Sequence, residues 1–122
     1  MKRTGPTKER TKKAIALLEK TARKTKKAIW LDLATRLGKP RRQRSNVNLW
    51  KIEKLAKIFS EKHLVVAGKV LAKGQLTKKA NVIAFEFSKE AEEKIKKAGG
   101  KAIAIEDAIV QKIQPKTMVI VK

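Results

Sequence analysis

Crowded like charge is the feature that most limits what this chain can become. Its 122 residues carry 32 Lys and Arg against 11 Asp and Glu, a net charge of +21. A compact fold with that excess repels itself unless a polyanion neutralises it. The excess is uneven: residues 1–62 hold 20 bases and 5 acids, residues 63–122 hold 12 and 6. The first half reads as a surface made to lie on phosphates, the second as a more ordinary folded domain. Nucleic acid is the leading partner on charge alone.

The hydrophobic fraction, 42%, suffices for a modest core. The length suits one domain with an appended basic arm. There is no Cys, which removes disulfides, thiolate metal sites and thiol nucleophiles. No apolar run approaches the roughly 18–20 residues of a spanning helix. A soluble, cytoplasmic protein is the expectation, with no membrane partner.

Residues 1–6 read as a basic tail. A helix is expected from Lys8 to about Lys26, with Ile15, Leu18 and Ala22 on one face and Ala14 and Leu17 beside them. Its opposite side carries Arg10, Lys12, Lys13, Lys20, Arg23 and Lys24, with few acids at i,i+4 to offset them. Charged residues in such a pattern usually mean a solvated face; the missing acids favour phosphate here. A second helix, Ala28 to Leu37, places Ile29, Leu33 and Leu37 in line, with Gly38 and Pro40 to stop it. The segment KPRRQRSN (39–46) follows. Its Arg41, Arg42 and Arg44 stand out in a chain of 25 Lys and 7 Arg. Arg can clasp phosphate with two parallel hydrogen bonds or stack on a base; Lys does neither. A basic run is unspecific by itself, because many are solvated loops. Residues 47–59 continue as a helix, capped by Asn48, with Leu49, Ile52, Leu55, Ala56 and Phe59 inward. Trp50 either packs in the core, as aromatics at helical spacing usually do, or stacks on a base.

After His63 the pattern changes. His63–Val66 and Lys69–Leu71 read as short strand pieces around Gly68, and Asn81–Phe87 alternates as a strand. Ser88 caps a helix that ends at Gly99-Gly100, with acids early and Lys late, as the macrodipole favours. A strand at Ala102–Ile105, a short helix from Glu106 and a last strand at Met118–Val121 complete the order. Ile103, Ile105, Val119 and Val121 are expected in the core. The expected class is α/β: a small, irregular, mostly parallel sheet with covering helices, preceded by a basic helical extension. Residues 1–46 form the basic arm of this reading, and 47–122 a compact α/β domain.

Little chemistry for catalysis is present. His63, the single histidine, reads as structural, and no nucleophile or orienting carboxylate marks a triad. Glu90, Glu92 and Glu93 lie where a helix start wants acids. GKVLAKG (68–74) lacks the spacing of a phosphate-binding loop. No metal-ligand cluster, cofactor or small-molecule substrate is expected.

The segments KPRR (39–42), VNLWKIEKLAK (47–57), VVAGKVLAKGQLTKKANVIAFEFS (65–88) and AEEKIKKAGG (91–100) together resemble the large-subunit ribosomal protein family L-eighteen-e of archaea and eukaryotes, related to bacterial ribosomal protein L-fifteen. The likeness is to the archaeal branch and covers most of the chain in family order. It departs at Ala67, where the family has Pro, and at Ala72, where it has Gly; both are placed in a turn by the family pattern. The resemblance implies a structural constituent of the large ribosomal subunit, not an enzyme, with large-subunit ribosomal RNA and neighbouring ribosomal proteins as partners. It implies RNA contact by Lys39, Arg41, Arg42 and Arg44, then by Lys69, Lys73, Lys78 and Lys79 around the glycine turn. Lys12, Lys13, Arg23 and Lys24 follow on composition. A chromosomal DNA-compacting protein is the rival reading.

Overall fold

A computed structural model describes residues 9–38, 45–59, 62–111, 113 and 117–121. The chain divides into two units, Met1–Arg44 and Ser45–Lys122.

In the first unit, α1 (Glu9–Thr25) packs against α2 (Ala28–Leu37). Thr11, Ala14 and Leu18, at spacings of three and four, are the buried line of α1. Lys26, in the left-handed region at φ 58°, turns the chain between the helices. The buried face of α2 is Trp30, Leu33, Ala34 and Leu37. The expected line through Ile29 is thus rotated by one residue, because burying the large indole gains most. Leu31, on the other side, stays exposed.

The second unit is a parallel sheet. Its strands are β1 (Ser45–Asn48), β2 (His63–Leu71), β3 (Asn81–Phe87), β4 (Lys101–Ala104) and β5 (Met118–Ile120). The path is β1-β2-β3-β4, and β5 also pairs with β2. Every described pairing is parallel. β3 holds one edge of β2. On the other edge β5 takes His63–Val65 and β1 takes Gly68–Leu71. The two pieces expected around Gly68 are one strand, with a register shift between Val66 and Lys69 that absorbs the glycine. Ala67 is buried inside this strand rather than in a turn.

Parallel neighbours need crossovers, and these are right-handed. α3 (Leu49–Ile58) links β1 to β2, and α4 (Lys89–Lys97) links β3 to β4. Both steps advance the sheet in one direction, so both helices lie on the same face. That face buries Leu49, Ile52 and Ala56 of α3 and Ala91 and Ile95 of α4 against Leu64, Val66, Val82 and Ala84. Val65, Ile83 and Phe85, alternating with them, are buried on the opposite face. The return through α5 (Ile105–Val110) packs on β3 and β4, burying Ile105 and Ala108. Val82–Phe85 is therefore covered on both sides, as parallel strands usually are.

α4 shows local code at both ends. The Ser88 hydroxyl oxygen accepts the Ala91 N–H at 3.1 Å. At the other end Gly99 N–H donates to Lys96 O and Gly100 N–H to Ile95 O, both at 3.0 Å, the paired bonds of a Schellman stop. Gly99 adopts φ +88° in open space, whereas a Cβ on Gly100 would be driven into the Ala80 carbonyl. Gly99→Ala is expected to cost about 1 kcal/mol, the left-handed penalty alone. Gly100→Ala should cost more, since backbone must move. Paired urea melts check the ordering.

Candidate nucleic-acid interface

β2 and β3 are joined by residues 72–80 without a helix. Register sets His63 beside Asn81, so this connection runs back along the whole length of β2. At ~3.3 Å per residue that path is about 26 Å, plus a lateral step of about 5 Å between strands. The steps from Leu71 to Asn81 reach roughly 33–36 Å fully extended. The connection is therefore a taut strap. Its apolar residues turn inward, with Ala72 and Leu76 packed against the core and Ala80 buried, while Lys73, Lys78 and Lys79 are all exposed.

Both helices of that face pin the strap. From α3, one Glu53 carboxylate oxygen accepts the Thr77 N–H at 2.8 Å, the Thr77 hydroxyl at 2.8 Å and the Lys78 N–H at 3.1 Å. The Trp50 N–H donates to Lys73 O at 3.1 Å. From α4, Lys94 Nζ donates to Ala72 O at 3.0 Å and Gly74 O at 3.2 Å. Gly74, at φ +103°, passes so near Trp50 that an added Cβ would lie 2.8 Å from the Trp50 Cβ. The Thr77 N–H and hydroxyl, the Lys78 N–H and the Lys57 charge hold the Glu53 carboxyl below the usual carboxylate range, against its partial desolvation.

The other expected residues fall in three places. Lys69 is half-buried within β2, beside Asn46 and Glu86 in register, so it lies off the strap and next to an acid. Lys12, Lys13, Arg23 and Lys24 lie on α1, and all four are exposed. An eleven-residue step is about three turns, so Lys12 aligns with Arg23 and Lys13 with Lys24 about 16 Å away. Lys39, Arg41, Arg42 and Arg44 lie outside the described residues.

Two residues of the strap's surroundings were missed or misplaced in the sequence. Trp50 is not in the core: it is 48% exposed, against 3% for Trp30. Lys54 Nζ sits 5.9 Å from its ring centroid. Glu53 drew no expectation, although it is the lone acid between Asp32 and Glu61 and is flanked by Lys51, Lys54 and Lys57. Elsewhere acids also bind locally: Asp32 pairs with Arg36 and Glu92 with Lys96, each one turn on. Asn48 makes no side-chain cap at α3. His63 Nδ1 lies 3.3 Å from Thr117 Oγ1 at the start of β2. Among the described residues no His, Cys, Asp and Glu group is arranged to hold a metal ion, and no helix is long and apolar enough to cross a membrane.

Because the folded Glu53 carboxyl is depressed, its anchoring is complete above the ordinary value of 4.5 and is lost as pH falls through the folded one. Glu53→Ala should remove hydrogen-exchange protection at the Thr77 and Lys78 amides at neutral pH while β3 stays protected. Equal protection in the variant would show that the strap holds without its anchor.

Comparison with known proteins covers this same region. The model of a family described as ribosomal proteins 50S-L15, 50S-L18e and 60S L-twenty-seven-A matches residues 36–103, from the end of α2 through β4. The large ribosomal subunit protein eL18 of Methanopyrus kandleri is 40% identical over 109 residues, 87% of this chain and 86% of that protein. That of Sulfurisphaera tokodaii is 44% identical over 107 residues, 88% and 86% of the two chains. That of Haloarcula marismortui is 43% identical over 109 residues, 89% of each. With matches of this extent, the chain belongs to the family that unites ribosomal proteins 50S-L15 and 50S-L18e with their 60S counterpart.

Proposed function

We propose that this protein is a structural constituent of the large ribosomal subunit, where it binds and stabilises large-subunit ribosomal RNA. The observation that carries the reading is the match along nearly nine-tenths of the chain to proteins named for that subunit. The role is structural and not enzymatic, as that family is. The rival DNA-compacting role finds no support among the relatives.

The proposed mechanism is charge neutralisation on a rigid backing. Lys and Arg displace counterions condensed on the RNA, so affinity falls steeply with salt. Lys73, Lys78 and Lys79 act from the strap, and Lys12, Lys13, Arg23 and Lys24 from α1. Lys39, Arg41, Arg42 and Arg44 act from the segment that precedes β1, and Lys69 contributes least because of its place in the sheet. The division of labour gives residues 1–46 the part of a basic arm and 47–122 that of the RNA-binding domain. Recognition follows RNA shape and unpaired segments, since side chains cannot read the deep groove of an RNA duplex. Neighbouring large-subunit proteins are the second class of partner.

Sucrose-gradient sedimentation of the tagged protein from its own cells tests the function. The protein should stay with the large subunit through a high-salt wash; release into the free pool, or migration with chromatin, overturns the proposal. The strap is tested by Lys73→Ala, Lys78→Ala and Lys79→Ala together. On a large-subunit RNA fragment, the slope of log affinity against log salt should shrink by about 2, at ~0.7–0.9 per phosphate contact, with an unchanged melting curve. An unaltered slope removes the strap from the interface.

A further inference from the structure

Trp50 has no role in the neutralisation mechanism, yet its surroundings fit one ligand chemistry. All five aromatic side chains of the protein, Trp30, Trp50, Phe59, Phe85 and Phe87, are among the described residues. Trp30 and Phe85 are buried, and Phe59 and Phe87 pack partly buried against the sheet core. Trp50 alone of the five is exposed.

Its position is fixed. The indole stems from the first turn of α3, its backbone N–H is bonded to Lys73 O, and Gly74 crosses against its Cβ. Cations border it: Lys51 and Lys54 on the helix, Lys73 on the strap, with the Lys54 ammonium over the ring. The one acid of that helix, Glu53, is engaged by Thr77 and Lys78. Among the described residues the ring does not belong to a larger apolar patch. Ile58, the next exposed large apolar residue on α3, lies eight positions on, about 12 Å along the helix and turned by roughly 80°. A protein partner seeking apolar area would find a single ring among ammonium groups. A polyanion that carries flat π-faces would find both of its features matched.

We infer that Trp50 is a stacking platform for an unpaired nucleobase of the bound RNA, with Lys54 and Lys73 holding the adjacent backbone phosphates. This rests on the RNA-binding reading and adds to it a base contact. Stacking is tolerant of base identity, so the site takes any unpaired base, with purines favoured by their larger face.

The two tryptophans give a direct test, because exposed Trp50 and buried Trp30 emit differently. The full-length protein is titrated at low salt with single-stranded oligoadenylate and, separately, with heparin, a polyanion without bases. Binding is followed by anisotropy of labelled ligand and stacking by intrinsic fluorescence. Oligoadenylate should quench the solvent-exposed emission, and heparin should bind without comparable quenching. Trp50→Ala keeps the Cβ and N–H that meet the strap, so the fold is retained. It should weaken oligoadenylate about tenfold, abolish the quenching and leave heparin affinity unchanged, while Trp50→Phe should recover most of the loss. Binding of oligoadenylate without quenching, or equal loss for both ligands, overturns the stacking platform and leaves RNA binding standing. If neither ligand binds, the RNA-binding reading falls and the platform with it.

Discussion

Everything distinctive about this fold follows from joining two long parallel strands with nine residues and no helix. A parallel connection must retrace the strand it leaves, and here the chain has little slack for it. An extended segment cannot satisfy its own backbone groups as a helix does, so neighbours must do so. Glu53, the Trp50 amide and Lys94 supply those partners at three points from two helices. The strap is thereby exposed, anchored and basic together. It lies within residues 65–88, one of the segments that carry the family likeness.

The charges sort by what they face. Three acids of the described residues are engaged within the protein: Asp32 and Glu92 one turn away, and Glu53 across to the strap. Acids used in this way cannot offset distant cations, and the outward field of the molecule stays positive. Surface ion pairs of this kind add little stability. The sheet core, covered on both faces along β2 and β3, carries the folding, which leaves the cationic surface open for RNA.

What could be read from the sequence was what local chemistry dictates. Ser88 as a cap, Gly99-Gly100 as a stop and the alternation of Asn81–Phe87 all appear as expected, because each depends on residues within a turn or two of one another. β1 was hidden, since four residues running directly into a helix show no periodicity of their own. β2 looked broken at Gly68 because a bulge is invisible without its partner strand. The general rule that aromatics pack inward held for Trp30 and failed for Trp50, which sits one step off the line of Leu49, Ile52 and Ala56. Of the site, the identities of the strap lysines were legible, but not the extended path that carries them past both helices. Glu53 was missed because its partners are 24 and 25 residues away, beyond the reach of any local pattern.

The shared edge of β2 carries a consequence for synthesis. One half of that edge is closed early, by β1, which leaves the ribosome before β2 does. The other half, at His63–Val65, waits for β5, the last strand in chain order. Throughout translation of the intervening residues, a newborn chain therefore shows an unzipped, strongly apolar stretch of backbone to the cytosol. Such open edges invite pairing between molecules. Like charge distributed over every nascent copy keeps those copies apart during this interval, so the same cationic excess that suits the finished particle also guards the unfinished chain.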